Sequence, residues 1–201
     1  LVERASRHVG IEVVAVGRPC LDLESPATVL PALAAVAPDL VVSAAAYTAV
    51  DRAEAEPERA FAVNEAGAAH VAAAAARLGV PVVHLSTDYV FDGEGQGAHA
   101  EGDPTGPQGV YGASKLAGEA AVARANPRHF ILRTAWVYSP FGANFVGTML
   151  RLAGEREEVD VVADQWGNPT SALDIADAIL HVAPAMRAGD GRLCGVYHLG
   201  G

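Results

Sequence analysis

The chain has 201 residues, a net charge of −10 and a pI near 5.0, which argues against a nucleic-acid surface or an anionic membrane as partner. Its length suffices for one domain with a substantial core, or for one domain and part of another. Two cysteines, Cys20 and Cys194, lie far apart without metal-ligand spacing and the seven histidines are scattered. No metal site is therefore expected, and both cysteines read as buried small hydrophobes in a reduced cytoplasm.

In chain order, Leu1 to His8 read as the tail of a helix and Ile11 to Val16 as a strand between Gly10 and Gly17. Cys20 to Leu23 is a short apolar piece. A helix is expected from about Pro26 to Val36, broken by Pro38 and Asp39. Leu40 to Ser43 is an unbroken apolar run of the kind that parallel sheets bury. Pro57 sits where a helix begins, Ala60 to Leu78 carries strong helix formers, and Gly79 stands at the C′ position. Val80 to Leu85 is a second buried strand, closed by Ser86, Thr87 and Asp88.

From Asp92 to Gly109 the sequence is rich in Gly, Pro and acids and reads as a long loop of the kind that carries function. Gly93, Gly95 and Gly97 within it are discounted as a phosphate loop, because no helix follows directly and acidic neighbours repel phosphate. A helix from Tyr111 to Ala125 leads to a strand at Phe130 to Arg133. A helix from about Asn144 to Ala153, a strand at Val159 to Val162, a loop at Asp164 to Thr170 and a helix at Leu173 to Val182 follow, with Val196 to Leu199 strand-like. Alternation of strand and helix predicts an α/β fold with a doubly wound parallel sheet. No apolar run reaches the roughly twenty residues of a membrane span, and Arg4, Arg7 and His8 precede no long apolar region of a secretory signal.

One spacing stands out. The chain has a single lysine, Lys115, and it follows Tyr111 by four residues. On a helix, i and i+4 share a face, and an ammonium roughly 5 Å from a phenol at an effective dielectric of about 20 contributes about 3 kcal/mol toward the phenolate. A phenol brought toward neutrality gives or takes a proton. The bland alternative is a snorkelling surface lysine beside a half-buried tyrosine.

The ordered set of motifs resembles the extended short-chain dehydrogenase/reductases, and within them the dTDP-4-dehydrorhamnose reductases. It comprises Ala44-Ala45-Ala46-Tyr47-Thr48-Ala49-Val50-Asp51, Leu85 to Gly93, Tyr111 to Lys115, Arg133 to Tyr138, and Asn144 to Ala153. The resemblance implies catalytic Thr87, Tyr111 and Lys115. Tyr111 would protonate the developing alkoxide, Thr87 would hydrogen-bond the carbonyl oxygen, and Lys115 would hold the nicotinamide ribose and tune Tyr111. The implied reaction is reduction of the C4 carbonyl of dTDP-4-dehydro-6-deoxy-L-mannose to dTDP-L-rhamnose by NADPH, with NADH the alternative.

The resemblance also implies cofactor contacts by Arg18, Asp22, Leu23, Ala44, Ala45, Ala46, Tyr47 and Asn64, together with Tyr111 and Lys115. Arg18 would pair with a 2′-phosphate or is a plain surface arginine, and Asp22 flanks adenine or starts a turn. The three alanines let backbone approach a ribose, or pack. Asn64 would support the lysine through water. Substrate contacts fall on Thr48, Val50, Tyr89 and Trp136, although an aromatic near a strand end is more often core, and Thr87 alternatively serves as a cap. No metal is implied, and a homodimer is left open.

The family's Gly-x-x-Gly-x-x-Gly turn and first strand have no counterpart in the sequence, so the sheet is expected to be open at its centre, and both ends of the chain are expected to continue. The expected division is a cofactor-binding unit at 1–134 and about 159–182, with substrate-domain segments at about 135–158 and 183–201. Two rival functions remain. A 4,6-dehydratase needs a Glu after the Thr-Asp pair, where Tyr89 stands, and a non-catalytic subunit like the regulatory subunit of methionine adenosyltransferase does not need both Tyr111 and Lys115.

Overall fold

The computed structural model describes residues 1–94 and 97–201, so Gly95 of the glycine-rich loop lies outside the described residues. Four parallel strands, β1 (Val41–Ser43), β2 (Val82–Thr87), β3 (His129–Thr134) and β6 (Gly195–Leu199), form the sheet in the order β1-β2-β3-β6. Two further short strands, β4 (Val137–Tyr138) and β5 (Thr170–Ser171), pair parallel in a sheet of their own.

Helices cover both faces, and the strands' two-residue alternation sends side chains to each. On one face α2 (Pro26–Val36), α5 (Ala68–Arg77) and α6 (Val110–Ala125) pack on Val82 and Ile131 through Val29, Leu33, Val71, Ala72, Ala75 and Val122. On the other, α8 (Ala172–Arg187) sets Ile175, Ile179 and Met186 against Val83, Phe130 and Leu132. This is a Rossmann-like α/β half-sheet. A short α1 (Val2–Ala5) is tied to α8 by the Arg4–Asp177 ion pair. Between β1 and α5 run α3 (Val50–Ala55), α4 (Pro57–Phe61) and a π turn, Ala62–Gly67.

Most expected elements form within a residue or two. Pro26 at the first turn and the Ala37 C-cap before Pro38 bound α2, and Gly79 takes φ +73 directly after the last turn of α5, a conformation that glycine adopts without a Cβ clash. Two expected strands do not form. Ile11 to Val16 and Val159 to Val162 are unpaired and mostly exposed. An apolar extended run becomes a strand only when a neighbour meets its N–H and C=O groups, and none among the described residues lies beside either. β1 is consequently an edge of the sheet, in place of the expected opening at its centre.

One other expectation is corrected. Cys20 is exposed and Cys194 only half-buried, because Cys20 sits in a turn beyond the unpaired segment. Gly195–Leu199, within the stretch expected to hold substrate-domain segments, pairs with β3 in the main sheet.

Candidate active site

Tyr111, Lys115 and Thr87 meet at the carboxyl end of β2, where open parallel sheets bind ligands. Helix α6 is brought there by close packing. A Cβ at Gly112 would run into the Tyr89 carbonyl oxygen, and one at Gly118 into that of Asn64, so only glycine lets the helix approach the 3-10 turn Asp88–Val90 and the π turn this closely. Glu54 of α3 accepts the first helical N–H, Val110 N to Oε1 at 2.7 Å, which satisfies a donor that helix geometry leaves free.

Asn64 is 1% exposed and ties three elements together. Its Oδ1 accepts from Tyr47 N at 2.8 Å, and its Nδ2 donates to Tyr47 O at 3.1 Å and to Ser114 Oγ at 3.0 Å. Ser114 Oγ in turn donates to Tyr111 O at 2.8 Å. The amide therefore clamps the segment after β1 onto α6. It sits in a π turn, a distortion that recurs at functional sites.

Thr87 takes the capping role anticipated for it. Its Oγ1 caps the 3-10 turn by accepting from Tyr89 N at 3.2 Å and donates to Asp88 Oδ1 at 3.1 Å, and its side chain also acts on the Tyr111 phenol. Burial pushes that phenol above the usual tyrosine value, Thr87 opposes the shift, and the Asp88 carboxylate adds to it. Burial likewise raises Asp88, against its hydrogen bond from Thr87. Tyr89 meets the Tyr111 ring edge-on, with centroids 5.5 Å apart.

Lys115 departs from the simplest expectation of the i, i+4 pair. Its Nζ donates to the Leu85 carbonyl at 2.6 Å, and its charge is not among the causes of the phenol's shift. Burial brings Lys115 down to about 8, opposed by Glu119. A strand-end carbonyl within reach of a buried ammonium outcompetes a neutral phenol. His84, also on β2, is held at about 3 by burial and by Lys115.

The remaining candidates divide by location. Ala44, Ala45 and Thr48 are exposed, and Ala46, Tyr47 and Val50 partly so, in the segment following β1, close to the Asn64 clamp. Leu23 is buried against Gly67. Arg18 is engaged with Asp22 at 3.1 Å and Glu24 at 2.9 Å, and Asp22 Oδ1 accepts from Glu24 N, which is the turn-starting role. Trp136 follows β3 with a left-handed backbone, φ +43, uncommon for a bulky residue. Its carbonyl accepts from Thr170 N at 3.1 Å, Gly167 lies against its indole, and it is 42% exposed.

Sequence reasoning passed over several residues of this neighbourhood: Ser114, Glu54, the two α6 glycines, and a buried bridge of Ser86, Glu119 and Arg133. Glu119 offered a signal, since it continues the Tyr111 and Lys115 spacing by one more turn. The others depend on contacts 14 to 56 residues away in sequence.

Comparison with known proteins identifies the family. The family model described as the RmlD substrate binding domain matches residues 1–201. A dTDP-4-dehydrorhamnose reductase of Sinorhizobium fredii is 54% identical over 202 residues, covering 100% of this chain and 68% of that protein. The chain belongs to the dTDP-4-dehydrorhamnose reductase family. The Escherichia coli (strain K12) member is 46% identical over 181 residues, 90% of this chain and 60% of its own length. This chain thus spans 60% to 68% of these two relatives. Among solved structures, the reductase of Bacillus anthracis in complex with NADP superposes with a TM-score of 0.90 at 36% identity, over 98% of this chain and 69% of that one. The ortholog from Clostridium acetobutylicum gives 0.89 at 37%, over 99% and 69%.

Proposed function

We propose that the protein carrying this chain reduces the C4 carbonyl of dTDP-4-dehydro-6-deoxy-L-mannose to dTDP-L-rhamnose with NADPH. The observation that carries the reading is the convergence of Thr87, Tyr111 and Lys115 at the end of β2, in a chain 54% identical to a dTDP-4-dehydrorhamnose reductase. The residues fit a nicotinamide ribose: a buried ammonium with one protein acceptor is held by β2, the strand paired with β1, after which small exposed residues follow. Lys115, Ala44, Ala45, Ala46 and Tyr47 would hold that end of the cofactor. Arg18 would have to exchange its carboxylate partners for a 2′-phosphate. When bound, NADPH supplies the hydride.

The chain's own groups handle the proton. Burial keeps Tyr111 protonated at neutral pH, which suits a general acid that gives its phenolic proton to the oxygen of the reduced carbon. Thr87 Oγ1, released from Asp88 Oδ1, donates a hydrogen bond to the same oxygen, and Lys115, charged below about pH 8, is the cation that would hold the ribose. Trp136 and Tyr89, half-exposed rings on either side of the strand ends, present faces for the sugar nucleotide, and the left-handed backbone at Trp136 is the kind of strain that collects at ligand sites. Residues 135–158 begin the substrate-binding unit.

The test is direct. Full-length protein is mixed with dTDP-4-dehydrorhamnose and NADPH, and the absorbance of the reduced cofactor is followed. Substrate-dependent oxidation is expected. Intact NADPH binding without oxidation would sink the reductase reading.

A further inference from the structure

The stripe of α6 that carries Tyr111 and Lys115 continues for one more turn to Glu119, and each member faces the end of β2. Tyr111 faces Thr87, Lys115 donates to Leu85 O, and Glu119 accepts from Ser86 Oγ at 2.5 Å. Three consecutive residues of β2 thus engage three successive turns of one helix. Glu119 is 4% exposed and Lys115 3%. Both carboxylate oxygens are held by Arg133 of β3, Nε to Oε1 at 2.9 Å and Nη2 to Oε2 at 2.7 Å. The far side of that guanidinium lies on the Phe91 ring, 5.2 Å from its centroid, and its Nη1 is 3.4 Å from His198 Nε2.

A buried Arg–Glu pair adds little net stability over apolar packing. A buried ammonium with one carbonyl acceptor, however, needs a negative charge nearby to remain charged. The titratable and charged groups around the stripe are His84 from β2, Asp88 from the 3-10 turn, Arg133 from β3 and His198 from β6. His84, at about 3, is neutral across the working range, and Glu119 is the acidic group that acts on Lys115.

We propose that Glu119 is a positioning residue for the reductase site: clamped by Arg133 and Ser86, its carboxylate docks the Tyr111–Lys115 face of α6 on β2 and holds Lys115 as an ammonium. The proposal rests on the reading of Lys115 as the ribose-holding group. Glu119 touches neither substrate nor cofactor.

Lys115 is the only lysine in these 201 residues, so lysine labelled with ¹³C at Cε reports on it, and Lys115→Met assigns its resonance in the full-length protein. In folded Glu119→Gln the titration midpoint of Lys115 should fall by about one pH unit, and Glu119→Asp should restore most of it. Glu119→Gln/Arg133→Gln, which leaves no unpaired buried charge, should lower the midpoint by less and carries the test if the single variant fails to fold. NADPH affinity of Glu119→Gln should drop roughly three- to six-fold at pH 8 and recover at pH 6.5, because a midpoint lowered by about one unit from about 8 cuts the charged fraction at pH 8 from about one half to about one tenth. A midpoint equal to the wild type's, or an affinity loss independent of pH, overturns the proposal. A Lys115→Met protein that binds NADPH unchanged overturns the ribose role instead, and the titration distinguishes that outcome.

Discussion

The end of β2 with helix α6 and the segment from Trp136 to Gly167, which follows the neighbouring strand β3, are built in opposite ways. Around α6 even polar and charged side chains are buried and partnered: Lys115 on Leu85 O, Glu119 on Arg133 and Ser86, Asn64 on Tyr47 and Ser114. In the other segment large apolar side chains stand in the open, including Phe141, Phe145, Leu150, Val162 and Trp166, and α7 (Phe145–Glu155) buries none of its residues. On the function proposed above, the difference separates chemistry from recognition. Proton transfer needs groups fixed to within tenths of an ångström by packing on rigid elements, whereas an uncovered apolar face is surface available for contact.

The sharpest break of this contrast is Tyr111→Phe, which removes one proton donor and no packing. Turnover is expected to fall about 10³-fold or below detection while NADPH affinity stays within roughly a few-fold; equal losses in steady-state rate and in cofactor titration would make Tyr111 structural. Next is Gly118→Ala. Its methyl meets the Asn64 carbonyl, which is backbone in a π turn and cannot swing away, so α6 must shift, and a loss of about 3 kcal/mol in urea denaturation is expected. Asn64→Ala leaves the Tyr47 N–H and C=O without their partner and should cost about 2 kcal/mol in the same measurement.

The pH dependence comes next in size. Lys115 lies at about 8 in the folded chain against 10.5 ordinarily, so between these values the unfolded chain binds more protons and stability rises with pH. The gain attributable to Lys115 should be about 1 kcal/mol from pH 8 to 9, read as the difference between wild type and Lys115→Met in denaturation curves. Tyr111, whose value is raised, acts in the opposite sense only above pH 10, outside that window. The smallest effect belongs to the other region: Leu150→Ala, on the open face of α7, should change the stability of this chain by no more than about 0.5 kcal/mol. A cost of several times that would show the face to be covered and erase the contrast.

Legibility in the sequence followed the same division. Elements whose signals are local were readable: Pro26 and Pro38 around α2, Gly79 after α5, and the apolar runs of β1, β2 and β3. Ile11 to Val16 and Val159 to Val162 carry the same apolar pattern, yet form no strand, because a strand also requires a neighbour that no local pattern specifies. Arg18 looked free for a phosphate, and the fold gives it Asp22 and Glu24. Glu119 and Ser114 went unnoticed because buried positions of α6 are polar, which hides the helix's inward face from a reading based on apolar spacing.

By itself, then, the sequence determined the alternation of strands and helices, the placement of Thr87 at a strand end, and the four-residue spacing that puts Tyr111 and Lys115 on one face of a helix, since each of these depends on residues close together in the chain. Only the tertiary structure decided where the lysine's charge goes, which carboxylate attends it, and which apolar runs find a partner. Those outcomes depend on contacts such as Lys115 with Leu85 and Glu119 with Arg133, and burial makes such contacts strong enough to override what neighbours along the helix would otherwise do.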